Sequence, residues 1–261
     1  MLCGVGLVHA VHIFTARAMI NLSYPYYCIG SNDSAIQYAE KTLAVLEQLS
    51  DHHQLEMLAA KSRLSNYYDK AGKKQEAFAL RLEVFEERKK LFSIDNPKTI
   101  HAMKLLANSY EDLEDYVPAI ALREDILRFY WNEFGDGHPN TKKALADLDY
   151  VYAIYGAEDR KCTLYESLLP IRKTTLGEGH PDTLATMKSL ADAYAFVAEG
   201  DRSYELIEQL IQLRLTYFGE TDSEVLALVE ELASIYSVLD REEKANEYYA
   251  LLDKLQRNES H

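Results

Sequence analysis

A 42-residue step runs through the chain and leaves few architectures open to it. Tyr26, Tyr68, Tyr110, Tyr152, Tyr194 and Tyr236 follow one another at that interval. Each has a leucine four residues before it: Leu22, Leu64, Leu106, Leu148, Leu190 and Leu232. Two linked columns recurring six times mark a chain of duplicated repeats. Further columns keep the step. Met19, Met103, Leu145, Met187 and Val229 precede the leucine by three, with Lys61 as the exception. Thr15, Thr99, Thr141 and Thr183 lie four residues earlier still. Pro97, Pro139 and Pro181 precede those threonines by two, and Ser223 takes the fourth place.

Spacing inside a repeat is helical. Met103, Leu106 and Tyr110 fall at i, i+3 and i+7, and Ala119, Leu122 and Ile126 do the same, so each set marks one apolar face. Gly30, Gly72, Gly156 or Glu114-Asp115 breaks the pattern between the two faces, which predicts a turn between antiparallel helices. A proline suits the first helical position, where its missing N–H costs nothing. Asn96 and Asp222 are good N-caps before that position; His138 and His180 are poorer ones. Two short helices cannot bury their apolar faces alone, whereas hairpins stacked in a row can. The sequence therefore predicts an all-α fold, an α-solenoid of about six hairpins over residues 13–257. Repeats start near 13, 55, 97, 139, 181 and 223. An apolar segment precedes them at 1–12, as the tail of a missing repeat or a cap, and 258–261 form a tail. Pro170, inside the second helix of the fourth repeat, predicts a kink or an early end there, and Pro25 does the same in the first.

Leu106-Ala107 with Tyr110, followed by Ala119, resembles the tetratricopeptide repeat. FGDGHPNT (Phe134 to Thr141), LGEGHPDT (Leu176 to Thr183) and a weaker FGETDSEV (Phe218 to Val225) resemble the linker of the kinesin-light-chain type. Where that type often carries Asn-Asn, this chain holds Lys104-Leu105, Ala146-Asp147, Lys188-Ser189 and Glu230-Glu231. The resemblance implies a right-handed superhelix whose first helices line a concave groove. It places Asn66, Lys104, Asn108, Lys143, Tyr150 and Lys188 on groove-facing positions. Lys104 with Asn108 repeats the Lys-then-Asn arrangement with which clamp-type tetratricopeptide grooves hold peptide carboxylates. An asparagine amide can bond the backbone of an extended peptide while a lysine supplies the charge.

Composition narrows the function. With 48% apolar and 27% charged residues, only 11 Gly and 6 Pro, the 261-residue chain is neither disordered nor turn-dense β. A formal charge of −14 argues against nucleic acid and anionic membranes as partners, and residues 219–261 carry half of it. Three scattered cysteines without a CxxC fit a reducing, cytoplasmic setting. The apolar start lacks a basic n-region and reads as buried helix. Cys3, His9 and His12 have spacing that could clamp zinc but no fourth ligand, and burial accounts for them; His52-His53 reads as a solvated linker. The helix-start role accounts for His138 and His180, so no metal and no cofactor are expected. No GxSxG, HExxH, GxxxxGK[ST] or GxGxxG occurs, and adjacent acids such as Glu86-Glu87 diverge on a helix, so no enzyme is expected. The sequence points to a scaffold or adaptor that binds a protein or peptide, with an acidic or C-terminal carboxylate segment in the groove. Nothing in it sets an oligomeric state. The alternative, again by resemblance, is a sensor or autoinhibitory repeat module of a nucleotide-driven signalling protein.

Overall fold

The computed structural model describes residues 2–49 and 53–258, with side chains from His12 to Arg257. Among the described residues the regular elements are twelve α-helices. In order they are α1 (Leu2–Cys28), α2 (Asn32–Glu47), α3 (Gln54–Lys70), α4 (Lys74–Leu91), α5 (Pro97–Asp112) and α6 (Tyr116–Phe134). Then follow α7 (Pro139–Tyr155), α8 (Glu158–Thr175), α9 (Pro181–Phe196), α10 (Gly200–Phe218), α11 (Ser223–Val238) and α12 (Glu242–Asn258). The chain divides into two compact bodies, Met1–Val151 and Tyr152–His261. Within the first, α1 to α6 pack each on the next; within the second, α8 to α12 do so. This is an all-α repeat solenoid. No described helix is long and apolar enough to cross a membrane.

Helix starts follow the repeat. The prolines open α5, α7 and α9, and Asn96 and Asp222 cap α5 and α11 by accepting from Lys98 N (2.9 Å) and Glu224 N (3.0 Å). The two histidines cap as well. Nδ1 of His138 accepts from Asn140 N at 3.2 Å, and Nδ1 of His180 from Asp182 N at 3.1 Å. A neutral imidazole with its proton on Nε2 offers the same acceptor as an asparagine oxygen.

Helix ends repeat more strictly still. Gly30, Gly72, Glu114, Gly156, Ala198 and Asp240 stand 42 apart, and each has φ between 53° and 79°. The next residue's N–H returns to the carbonyl of the repeat tyrosine at 2.9 Å in all six turns, from Ser31→Tyr26 to Arg241→Tyr236. That is the Schellman closure, and it fixes the tyrosine column in the last turn of its helix.

The leucine column from the second repeat onward, with Tyr152, Tyr194 and Tyr236, lies in the core. Leu64, Leu106, Leu148, Leu190 and Leu232 are at most 4% exposed. The tyrosine hydroxyls also bond outward to the preceding hairpin: Tyr68 to Glu40, Tyr194 to Glu166 and Tyr236 to Glu208, each at 2.6 Å. Arginines, Arg88 half-buried and Arg172 buried, join helices along the row. Arg88 Nη1 donates to Lys98 O (2.9 Å) and Arg172 Nη1 to Asp182 O (3.1 Å), the same contact two repeats apart.

Several sequence expectations need correction. Leu22 is 49% exposed, unlike its column mates; the described packing of α1 is against α2 and α3. Ala16 and Ser23 face the core in its place, with Ser23 Oγ 2.9 Å from Tyr67 Oη. The segment 2–12 and the first helix of the first repeat form one helix, α1, from Leu2 through Cys28. Pro170 does not end α8 early; the helix continues to Thr175. Pro170 is on the exposed face, so the Glu166 carbonyl that loses its donor faces water. Pro25 likewise lies inside α1, three residues before its end.

Candidate peptide-binding surface

Helices α3, α5 and α7 carry, within the first body, five of the six residues that the resemblance assigns to a groove. Asn66, on the second half of α3, is partly buried and lines an open cavity of about 500 Å³ together with Asn21, Tyr24, Tyr27, Arg63 and Tyr67. Packing of α1 on α3 builds this cavity. Tyr67 is held by Ser23, and Arg63 Nη1 donates to Ile20 O at 3.2 Å, which anchors the guanidinium at the cavity edge. One cation, two side-chain amides and three phenol rings therefore converge here. A second cavity, about 390 Å³, flanks the first half of α3 and is lined by Leu55, Ala59, Arg88, Phe92, Lys98 and His101. Burial, with the Arg88 and Lys104 charges, lowers the His101 pKa, so this ring is neutral at pH 7.

Lys104 and Asn108 share a face of α5, one turn apart, but both have partners. Lys104 Nζ sits 4.5 Å from the centre of the Tyr130 ring, a cation–π contact. Asn108 Oδ1 accepts from Arg123 Nη2 at 2.6 Å. Arg123 is 7% exposed and also grips Glu111 (2.8 Å) and Asp147 (3.4 Å). Its fork thus fixes the Asn108 amide with the carbonyl oxygen turned inward, leaving the NH₂ as the group able to bond a ligand. Lys143 and Tyr150 are exposed on α7, Tyr150 by 62%.

In the second body Lys188 is differently placed. Its Nζ lies 2.7 Å from Asp192 and 3.4 Å from Glu231. Partial burial would lower its pKa, but the two carboxylates outweigh that and raise it. Lys188 is charged and already paired.

Sequence reasoning missed Arg63, the α1 contribution and Arg123. The last had a signal, since Arg81 and Arg123 stand 42 apart, and Arg81 clasps Asp69 (2.9 Å) and Ser109 (2.7 Å) in the previous repeat. Among the described residues no group of His, Cys, Asp and Glu could hold a metal ion. Cys3, His9 and His52 lie outside the described side chains.

A model of the tetratricopeptide repeat matches residues 15–54 and 57–98. Among solved structures the chain is similar to TPR-like repeats of a kinesin light chain from Podospora anserina. That match has 23% identity and a TM-score of 0.56 over 77% of this chain and 96% of that one. It is similar also to BtubC from P. vanneervenii, with 15% identity and a TM-score of 0.50 over 81% of this chain and 91% of that one. No curated protein matches it.

Proposed function

We propose that this chain, a tetratricopeptide-repeat protein with kinesin-light-chain-like repeats, is an interaction scaffold whose first body holds an acidic or carboxylate-ended peptide of a partner. The observation that carries the reading is the cavity between α1 and α3, where Arg63 stands beside the amides of Asn21 and Asn66. A guanidinium suits a carboxylate bidentately, and side-chain amides suit the backbone of an extended chain, which has both donors and acceptors to satisfy. Lys104, Asn108, Lys143 and Tyr150 extend the same chemistry along α5 and α7. A carboxylate at Arg63 meets a side chain preorganised by its bond to Ile20, so less ordering entropy is lost on binding.

The test uses the full chain and a fluorescein-labelled acidic peptide with a free C-terminus, beside its C-terminal amide. Arg63→Glu and Asn66→Ala should each weaken binding by about tenfold or more, a loss near 1.4 kcal/mol, with far-UV circular dichroism unchanged. Unaltered binding by both variants refutes the assignment of this cavity. Equal binding of acid and amide peptides refutes the carboxylate.

A further inference from the structure

A second surface, of opposite character, occupies the C-terminal body. Ile154, Phe196 and Val238 stand 42 apart at the ends of α7, α9 and α11, and are 46%, 78% and 84% exposed. Tyr155 and Leu239, beside two of them, are exposed as well. The repeat does not require apolar residues here, because the same position in the first three repeats holds Cys28, Lys70 and Asp112. Two independent ion pairs show that α9 and α11 run side by side: Lys188 reaches Glu231, and Arg241 reaches Asp201 at 2.6 Å between the two turns. Phe196 and Val238 therefore share one edge of the body. Isolated apolar residues on a surface are ordinary, but a column that recurs in register is not.

The electrostatic setting is acidic. Residues 152–261 hold 21 acids against 11 Lys and Arg, a net of −10, whereas residues 1–151 hold 21 against 17, a net of −4. The cations close to the column are already engaged: Lys188 with Asp192 and Glu231, Arg202 with Glu166 and Glu199, Arg241 with Asp201, and Lys244 with Glu208. Asp240, Glu242 and Glu243 follow Val238 closely in the chain.

We infer that this column is a docking ridge for a basic amphipathic α-helix of a partner protein. Charge selects the partner. A second copy of the chain would set one acidic body against another, and an anionic bilayer would be repelled in the same way. The apolar column selects the conformation. An extended segment would lay unbonded N–H and C=O groups on hydrocarbon, while a helix satisfies its own. Spacing agrees: neighbouring helices pack about 8–10 Å apart, and residues seven apart on a partner helix rise about 10.5 Å. Apolar residues at i and i+7 would meet Phe196 and Val238 in turn, with Lys and Arg on the flanks facing the acids. This surface is separate from the Arg63 cavity and stands without it.

The experiment measures binding of a labelled Leu/Lys amphipathic helix of about five turns to the full chain by anisotropy. A scrambled peptide of the same composition and a Leu/Glu counterpart serve as comparisons. The helix should bind at least about tenfold tighter than the scrambled peptide, and the Leu/Glu helix should not bind. Phe196→Ser with Val238→Ser keeps every charge and alters only exposed side chains, so helicity should hold while affinity falls about tenfold or more. Arg63→Glu should leave this binding unchanged. Full affinity in the double variant would mean charge attraction alone, and would overturn the ridge. So would failure of the Leu/Lys helix to bind, equal binding of the Leu/Glu helix, or a dimer of the chain that the double variant dissociates.

Discussion

Gly156 and Ala198 occupy the same place in successive hairpin turns, with φ of 72° and 62°. Exchanging their residue types tests whether backbone conformation sets the turn. A Cβ on Gly156 would meet no atom within 4 Å, so Gly156→Ala costs only the left-handed backbone, about 1–2 kcal/mol. The loss of glycine's freedom in the unfolded chain returns about 0.4–1 kcal/mol. The net is a destabilisation of about 0.5–1 kcal/mol, and Ala198→Gly should gain about the same by the reverse argument. In urea, followed by circular dichroism, a slope near 3 kcal/mol/M turns this into midpoint shifts of about 0.2–0.3 M in opposite directions. The double exchange should restore the wild-type stability to within about 0.5 kcal/mol, because distant sites add. A fall in midpoint for Ala198→Gly, or no change for Gly156→Ala, would show that contacts, and not the dihedral, hold these turns.

Leu22→Ala should change stability by no more than about 0.5 kcal/mol, as at a surface site, whereas Leu190→Ala and Leu232→Ala, both buried, should cost about 2–5 kcal/mol each; equal losses in thermal unfolding would contradict the exposed position of Leu22. Burial and the Glu40 carboxylate push the Tyr68 hydroxyl up to about 12, from an ordinary value near 10. The folded state therefore keeps a proton that the unfolded chain releases, so this contribution is whole below pH 10 and fades as pH rises from about 10 to about 12. Tyr68→Phe should flatten that part of the alkaline stability profile, and an unchanged slope would exclude the Tyr68–Glu40 bond as its source.

The repeat columns made the hairpins legible before any coordinates, because leucine, tyrosine and proline each answer to a local rule: burial, closure and helix start. The places where that reading broke are those where a rule depends on neighbours. Leu22 satisfies the column but lies on an exposed face of α1. Pro170 violates helix propensity, yet its exposed face lets water satisfy the freed carbonyl. His138 and His180 rank low as caps by residue type, although the orientation of Nδ1 makes each an acceptor. The surface was less legible. Asn66 lies at a template position, whereas Arg63 falls between such positions and is brought to the cavity by α1 packing on α3. Lys188 shared the register of Lys104, and only folding brought Glu231, 43 residues on, against it.

The left-handed turn residue carries a consequence for how such a chain can change. Because every reversal closes on a main-chain carbonyl, the angle of the hairpin is written in dihedrals and only weakly in side-chain identity: Gly, Glu, Ala and Asp all serve. Exposed positions beside the turn are then released from any duty to its closure. Adjacent copies of one duplicated segment can diverge in charge without disturbing their stacking, as Lys70 and Asp112 do at one shared address. A gene of this kind can acquire a second specificity by substitution alone, with no new backbone.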